Sequence, residues 1–362
     1  MKLLLIGFFG KTYMPYIEHY QKVLDNASAE YDVCFFERYE SRSIQIDCYD
    51  HGNEYTFFGE TNANSLSKIK PVLKYARFVR KLIRDNRYDK LIVFTTMPAI
   101  LLSDLLLSKY AGKYIFDYRD YTYERISSFA KRVSKIVDAS AFTTFSSRGY
   151  LENLEVRGKY LLTHNITNLD SVIDHADDLR TKGILHIGFI GYVRYFDLNA
   201  RLISSFSNNP KFYLDYYGNR FSDCNLEAFC ETNSIENVRF HGPFQNCDKP
   251  LLYKTVDLVN SIYSLDSPEV KQAIPNRLYD AALFKKPIIA SKGTQLSQIV
   301  EEYNLGLAID PMHDDVCNAV EEYIRTFVPE RFESGCRRFL RDAEKDLQHH
   351  MECVKAFIES ST

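Results

Sequence analysis

Four polar residues follow one apolar run closely enough to do chemistry together. The run at 113–116 predicts a strand, and Asp117, Arg119, Asp120 and Glu124 come directly after it. Functional groups of open α/β sheets gather at the carboxyl ends of strands, so these side chains are expected at the edge of a crevice. A carboxylate there can orient or deprotonate a hydroxyl group, and an arginine can meet developing negative charge. The alternative is a helix start capped by Asp120, with Arg119 paired to a neighbouring carboxylate.

A second segment, over 272–291, predicts a binding site for a phosphate. Pro275 suits the first turn of a helix, because its fixed φ is helical and its missing amide is not needed there. A helix opening near Asn276 directs its first amides at an anion, while Asp280, one turn further on, offers an acceptor for a ribose hydroxyl pair. An ordinary amphipathic helix that leads into a strand at 288–290 is the alternative interpretation.

This segment resembles the donor-binding segment of GT-B glycosyltransferases, especially family 4, which builds bacterial polysaccharides and glycolipids. That family usually shows an acidic residue, seven others, a second acidic residue on a helix, and then Gly-Lys-Pro-Val-Ile. Asp280 stands at the second acidic position, the run at 286–289 reads Lys-Pro-Ile-Ile, and Gln272 stands at the first acidic position. An amide can still hydrogen-bond a sugar hydroxyl or a phosphate, so we expect Gln272 to contact the donor substrate.

The resemblance also covers the start of the second half. Gly191 and Arg194 follow a predicted strand, where the family places an arginine that meets the donor diphosphate, and Gly218 ends a later strand. The lysine that usually follows the arginine is missing, and Asn199 stands near its place. The cations that could supply the missing charge are Arg201 and Arg220.

In the first half, the family often reads Asp/Glu-x-Arg-Asp-x-x-x-Glu where this chain has 117–124. The resemblance implies that this half binds the acceptor, and among its carboxylates we take Asp120 as the first candidate for the base. Since no Asp-x-Asp metal site lies in a suitable loop, Arg194 and the helix start at Asn276 are expected to stabilise the departing diphosphate without a metal.

The order of strand and helix patterns predicts an α/β protein with two doubly wound, parallel-sheet domains. Strands and helices alternate through 1–168 and again through 180–335, with a polar linker at 167–182 between them. The resemblance implies the GT-B architecture: an N-terminal acceptor-side domain and a C-terminal nucleotide-sugar domain, both Rossmann-like, facing a central cleft. It also implies that a terminal helix in 336–362 returns to the first domain.

Composition narrows the classes of partner. The 362 residues carry a net charge of −3, so the whole protein has no electrostatic drive toward nucleic acid. The eight cysteines include no Cys-x-x-Cys and no Cys/His cluster with zinc-ligand spacing, which predicts reduced cysteines in a cytoplasmic protein. No metal or cofactor is expected. The apolar start at 3–9 favours a buried first strand over a signal peptide.

The charge pattern of one predicted helix, over 68–90, indicates contact with a membrane. Apolar residues recur on one side of this helix, and another side carries Lys74, Arg77, Lys81 and Arg84. Such a face attracts anionic lipid headgroups, which would hold the protein at the inner face of a membrane. The alternative is the solvated outer helix of a Rossmann-like domain.

The resemblance implies a glycosyltransferase that moves a sugar from a nucleotide-diphosphate sugar to a glycan or lipid-linked acceptor in surface polysaccharide biosynthesis. The resemblance implies retention of the anomeric configuration. Two other classes fit the same sequence. One is a nucleotide-sugar epimerase of GT-B type, and the other is a partner subunit that keeps the fold and has lost catalysis.

Overall fold

The protein is described by a computed structural model, which covers residues 1–39, 48–51, 53–60, 69–166, 175–221 and 223–360. Contacts divide the chain into unit 1, which comprises Met1–Thr167 and Lys345–Thr362, and unit 2, which comprises Asn168–Glu344. Positions 167–174 of the predicted linker lie outside the described residues.

Unit 1 is built on one sheet. Its strands are β1 (Lys2–Ile6), β2 (Glu30–Tyr39), β3 (Cys48–His51), β4 (Glu54–Glu60), β5 (Lys90–Phe94), β6 (Tyr114–Tyr118), β7 (Phe142–Phe145) and β8 (Tyr160–Leu162). They lie in the order β3-β4-β2-β1-β5-β6-β7-β8, and every neighbouring pair is parallel except β3 with β4. A connection of two residues joins β3 to β4, and so short a connection allows antiparallel pairing alone. The prediction of a parallel sheet is therefore correct except at this edge.

Helices of unit 1 pack around central strands that are buried on both faces. In β1 the side chains Leu3, Leu4, Leu5 and Ile6 are all fully buried, and since successive side chains point to opposite faces, both faces of the sheet are covered. The helices are α1 (Ile17–Asn26), α2 (Ile69–Asn86), α3 (Thr96–Leu101), α4 (Ser103–Leu106) and α5 (Ser127–Ala139).

Unit 2 repeats this architecture with an all-parallel sheet. Its strands are β9 (Leu185–Ile190), β10 (Phe212–Tyr217), β11 (Val238–Gly242), β12 (Leu258–Ser261), β13 (Ile288–Ser291) and β14 (Gly306–Ile309). They lie in the order β11-β10-β9-β12-β13-β14. The helices are α6 (Phe196–Ser205), α7 (Leu226–Thr232), α8 (Lys249–Thr255), α9 (Pro268–Gln272), α10 (Asn276–Leu283), α11 (Gln295–Tyr303), α12 (Val316–Arg325) and α13 (Pro329–Glu359).

The strand orders confirm the predicted pair of doubly wound sheets and locate a crevice in each. In unit 1 the chain runs outward in one direction from β1 and in the other from β5. In unit 2 the same change of direction falls between β9 and β12. Ligands of open α/β sheets bind outside the carboxyl ends of the strands at this switch point.

The last turns of α13 belong to the core of unit 1. Val354, Phe357 and Ile358 pack there with apolar side chains of α1 and β1. The buried Lys90 Nζ, at the start of β5, donates to Ser360 O at 2.7 Å and to Phe357 O. The carbonyl groups at a helix end lack partners inside the helix, so this lysine satisfies them.

His350, on α13, is a buried histidine whose ring nitrogens have no hydrogen-bond partner among the described residues. Its ring packs edge-on against Tyr20 of α1, with the ring centres 4.9 Å apart. Burial lowers the pKa of His350 to about 3; Asp117 opposes this shift and Arg119 adds to it. The folded protein therefore excludes a proton that the unfolded chain binds below about pH 6.5.

We expect the free energy of unfolding of unit 1 to fall as the pH is lowered from about 6.5 to about 3. This histidine alone accounts for up to about 1.4 kcal/mol per pH unit in that range. Urea titrations at pH 7 and pH 5 test this, because His350→Phe should reduce the difference in unfolding free energy between the two pH values. His349→Gln, which changes an exposed neighbour, should retain the full difference. An equal pH dependence in wild type and His350→Phe would show that His350 is not the group responsible.

Candidate active site

Adjacent strands of unit 2 end on glycines that leave their carboxyl ends without side chains. Gly191 follows β9 with φ +143°, and Gly218 follows β10 with φ +129°. A Cβ atom on Gly218 would lie 1.9 Å from the carbonyl oxygen of Gly191, so a larger residue does not fit there. The amide of Gly218 donates to Gly242 O at 2.7 Å, at the end of β11. Backbone of this kind allows a ligand to approach the strand ends closely.

Arg194 lies three residues beyond Gly191 and is exposed. Its guanidinium lies 5.8 Å from the ring centre of Tyr192 and 5.3 Å from that of Phe221. No ion pair joins it to a carboxylate of the described residues. An exposed arginine with aromatic neighbours can therefore offer its planar fork to a phosphate.

Asn199, near the place of the family's lysine, has a structural role. Its side-chain amide donates to Arg194 O at 2.6 Å and to Tyr195 O at 3.0 Å. Its Oδ1 accepts a hydrogen bond from Tyr216 at 3.2 Å, and the residue is buried. Asn199 therefore fixes the loop that presents Arg194.

The two arginines that could replace the missing lysine already have partners. Arg201 Nε donates to Pro311 O at 2.5 Å, and Arg220 forms an ion pair with Glu227. Arg201 lies on α6, which follows the loop that carries Arg194. Because both arginines already have partners, neither guanidinium is as available to a phosphate as that of Arg194.

Helix α10 begins at Asn276, where the sequence predicts it. Pro275, the residue before it, is extended and provides no side-chain hydrogen bond to the amides of the first turn. The amides at a helix start point out of the helix and make this end positive; in this turn the amide of Leu278 donates to Pro275 O at 3.0 Å. Gln272 lies on a different helix, as the last residue of α9, and is buried.

Asp280 lies one turn inside α10 and shares its carboxylate with a lysine. Lys249 Nζ, at the start of α8, is 2.9 Å from Asp280 Oδ2, and the Tyr253 hydroxyl donates to the same oxygen at 3.4 Å. Burial, with Asp280 nearby, raises the pKa of Tyr253. The carboxylate predicted to bind a ribose therefore already has two partners on one oxygen, and one of them is a cation that the sequence analysis did not select.

Arg277, in the first turn of α10, is a buried cation that the sequence analysis missed. It is 7% exposed, and its Nη1 donates to Asn260 O at 2.8 Å while its Nη2 donates to the Tyr263 hydroxyl. Its guanidinium carbon lies 3.9 Å from the ring centre of Phe189. Its position in the sequence could have indicated that it is buried, because Arg277 lies one turn before Ala281 on the apolar side of the helix.

A buried carboxylate, Asp215, joins the strands next to these glycines. Its two oxygens lie 2.7 Å from His186 Nδ1 and 2.7 Å from His241 Nε2, and His241 stacks on Tyr217 with ring centres 4.1 Å apart. Among the described residues, no group of three or more His, Cys, Asp or Glu could hold a metal ion. The cluster therefore satisfies a buried charge and ties β9, β10 and β11 together.

In unit 1, Asp117 and Arg119 form a buried ion pair at the carboxyl end of β6. Arg119 Nε and Nη2 donate to the two carboxylate oxygens at 2.8 Å and 3.0 Å, and the Tyr20 hydroxyl donates to Asp117 at 2.7 Å. Arg119 also lies 3.9 Å above the ring centre of Tyr16 and donates to Asn165. This geometry agrees with the alternative interpretation, in which Arg119 pairs with a neighbouring carboxylate.

Glu124 is buried as well, at 3% exposure. Its Oε1 accepts from the Tyr118 hydroxyl at 2.7 Å, and its Oε2 accepts from the amide of Thr122 at 2.6 Å. Both oxygens therefore hold the loop after β6 in place, which is a structural role for a residue that the sequence analysis placed in the catalytic group.

Asp120 is the partly exposed member of the four. The alternative prediction that it caps a helix is wrong, because the next helix, α5, begins at Ser127 with Ile126 as its cap residue. The main-chain oxygen of Asp120 accepts from Thr96 Oγ1 at 3.1 Å. The preceding Thr95 has φ +66°, a strained value for a β-branched residue, at the end of β5. Asp120 thus lies beside a strained turn at the edge of the unit 1 crevice.

The predicted basic face lies on the outer side of α2. Lys74, Arg77, Lys81 and Arg84 are all exposed, and Arg84 Nε lies 3.0 Å from a carboxylate oxygen of Asp85. No helix within the described ranges is long and apolar enough to cross a membrane.

No family model matches the sequence, and no curated protein matches it either. Solved structures do match. HepE of Anabaena, in complex with UDP and glucose, is 14% identical with a TM-score of 0.67 over 98% of this chain and 100% of its own. The trehalose-6-phosphate protein of E. coli, bound with UDP-2-fluoro glucose, is 10% identical with a TM-score of 0.70 over the whole of both chains. WaaG, a glycosyltransferase involved in lipopolysaccharide biosynthesis, is 12% identical with a TM-score of 0.64, again over both whole chains.

Proposed function

We propose that this chain, which has the GT-B fold, is a glycosyltransferase that moves a sugar from a nucleotide-diphosphate sugar to a hydroxyl group of an acceptor. One grouping in unit 2 carries the proposal. The side-chain-free turns at Gly191 and Gly218, the exposed Arg194 and the start of α10 lie at the carboxyl ends of parallel strands. The first turn of α10 reaches this place, since Arg277 Nε lies 4.0 Å from where a Cβ on Gly191 would be.

The physical task in this reaction is to stabilise the negative charge of the departing diphosphate. Arg194 supplies a planar fork that can donate two hydrogen bonds to phosphate oxygens. The amides at the start of α10 add the positive end of a helix, which favours an anion. We assign the stabilisation to these groups in a metal-independent reaction that retains the anomeric configuration.

Asp280 is assigned to the ribose of the donor. A carboxylate that is one turn inside α10 can accept hydrogen bonds from two neighbouring hydroxyl groups. Lys249 Nζ, 2.9 Å from Asp280 Oδ2, orients the carboxylate through one oxygen, and the other oxygen faces the ribose in this assignment. Gln272 and Asn276 are retained as further contacts to the donor sugar and diphosphate.

Unit 1 is assigned to the acceptor, with Asp120 as the base that takes the proton of the attacking hydroxyl group. Asp117, Arg119 and Glu124 then act through position, because their contacts hold the loop after β6 that carries Asp120. The likeness to WaaG, which is involved in lipopolysaccharide biosynthesis, supports a glycan or lipid-linked acceptor in surface polysaccharide biosynthesis.

A panel of nucleotide sugars tests this function. One of the UDP-, GDP-, ADP- or dTDP-linked sugars should stabilise the protein against thermal unfolding, by about 2.7 kcal/mol at a hundred times its dissociation constant. UDP-glucose comes first, because solved structures of similar fold hold UDP with glucose or a fluoroglucose. Product analysis then separates the classes: transfer of the sugar to an added acceptor, with release of nucleoside diphosphate, supports a transferase, and a nucleotide sugar that is isomerised or hydrolysed without an acceptor would support an epimerase. If no nucleotide sugar of the panel stabilises the protein, the result would support a non-catalytic partner subunit.

We further propose that the outer face of α2 binds an anionic membrane surface. Two large apolar side chains are exposed near the start of this helix, Ile69 at 54% and Leu73 at 46%. They precede the exposed cations at 74, 77, 81 and 84 on the same side of the helix. Apolar anchors next to a basic face are typical of helices that lie in the headgroup region.

We expect the protein to sediment with vesicles of phosphatidylglycerol and phosphatidylcholine at low salt, and to ignore vesicles of phosphatidylcholine alone. Each cation near an anionic surface contributes about 1 kcal/mol, so changing Lys74, Arg77, Lys81 and Arg84 together to Glu should abolish binding. The matched control changes four exposed lysines of unit 1 outside α2 to Glu, namely Lys109, Lys113, Lys131 and Lys135. Equal loss of binding in both quadruple variants would mean that net charge, and not this face, is responsible.

A further inference from the structure

Arg277 carries a buried positive charge with no carboxylate partner in the described part of the chain. It is 7% exposed, and no described Asp or Glu oxygen lies within 4.0 Å of its guanidinium nitrogens. A buried charge without a counter-charge is costly, and proteins rarely keep one unless an anion joins it. The lack of a counter-charge for Arg277 in the described part of the chain therefore indicates that an anionic ligand supplies it.

The neutral contacts of Arg277 fix its orientation. Nη1 donates to Asn260 O at 2.8 Å, Nη2 donates to the Tyr263 hydroxyl, and the guanidinium lies over the ring of Phe189. These contacts hold the plane of the guanidinium in place, because stacking on an aromatic face and two directed hydrogen bonds permit one arrangement. Nε hydrogen-bonds to no described group.

The side of the guanidinium that carries Nε faces the turn at Gly191. A Cβ atom on Gly191 would lie 4.0 Å from Nε, so this turn covers the guanidinium with backbone alone. Gly191 follows β9 and Asn260 lies in β12, and these strands flank the switch point of the unit 2 sheet. Arg277 is thus presented at the crevice where ligands of such sheets bind.

We propose that Arg277 binds the diphosphate of the donor and supplies the second positive charge of that site, beside Arg194. This inference rests on the proposed function, since it takes the anion to be a nucleoside diphosphate. A diphosphate carries more negative charge than one arginine can neutralise, and the other two candidate cations, Arg201 and Arg220, are engaged with Pro311 and Glu227. The start of α10 adds its amides to the same anion.

Isothermal titration with inorganic pyrophosphate tests the proposal without reference to base or sugar. Wild type should bind pyrophosphate, and Arg277→Gln should bind it about 10- to 100-fold more weakly, because one charged hydrogen-bond donor to phosphate is lost. Arg277→Lys keeps the charge without the fork and should fall between them. The control is Arg325→Gln, which removes an exposed arginine paired with Glu322 on α12 and should bind as wild type does.

Each outcome decides the inference. If Arg277→Gln is folded by its melting temperature and binds pyrophosphate as wild type does, or if wild type does not bind pyrophosphate, the inference is wrong. If Arg277→Gln does not fold, Arg277→Lys carries the test, and unchanged affinity there would likewise overturn it. A nucleotide sugar that stabilises wild type and Arg277→Gln equally would leave the proposed function standing while removing Arg277 from the site.

Discussion

Asp120→Asn should lower the release of nucleoside diphosphate about 10²- to 10⁴-fold, because the amide has the size of the carboxylate and cannot accept the proton of the attacking hydroxyl group. Nucleotide affinity should hardly change, since the residues assigned to the donor lie in unit 2. The melting temperature should also stay near that of wild type, because Asp120 is partly exposed and caps no helix. Release is measured with the nucleotide sugar that the thermal panel selects.

Two other variants of unit 1 serve as comparisons for Asp120→Asn. Asp85→Asn, which changes an exposed carboxylate on α2, should leave release unchanged. Asp117→Asn should instead lower stability, because it leaves the buried Arg119 without its counter-charge, a change that costs about 3 to 5 kcal/mol in other proteins. Normal release by Asp120→Asn would move the role of base away from this residue.

Asp280→Ala should weaken nucleotide binding by about 1.5 to 3 kcal/mol, the contribution of hydrogen bonds to a charged group. Arg194→Ala should weaken it by a comparable amount through the diphosphate. Isothermal titration with the nucleoside diphosphate of the selected donor measures both effects. Because Asp280→Ala also leaves Lys249 without its partner, melting temperatures are compared to verify the fold.

The control for Asp280→Ala is Glu321→Ala, which breaks another carboxylate–lysine pair of unit 2, with Lys211 on the surface. Its nucleotide affinity should equal that of wild type. Wild-type affinity in both Asp280→Ala and Arg194→Ala, with the fold intact, would refute the assignment of ribose and diphosphate to these residues.

The features that the sequence predicted well depend on local patterns. Pro275 marks the start of α10 because a proline suits a helix start wherever the helix lies. Apolar runs that end on Gly191 and Gly218 predict strands that end in turns, and the structure has them there. The order of strands and helices was sufficient for the two doubly wound sheets of the GT-B fold.

The burial of charged side chains depends on partners distant in sequence, and it could not be predicted in the same way. Asp117 receives a hydrogen bond from Tyr20, which lies 97 residues earlier, so its spacing from Asp120 did not reveal that it is buried. Arg277, on α10, is buried because it packs against Phe189 of β9 and donates to Asn260 of β12, two strands of the sheet. By contrast, the antiparallel edge at β3 could have been predicted, since two residues separate it from β4.

Hydrogen exchange of the full chain, with and without the selected nucleotide sugar, tests the central claim most directly. The claim is that the donor is held at the carboxyl ends of β9 and β10 and at the start of α10. Bound donor should slow amide exchange in the turns after Gly191 and Gly218 and in the first turn of α10, at Asn276 and Arg277. Protection confined to other parts of the chain, with these three segments unchanged under saturating donor, would contradict it.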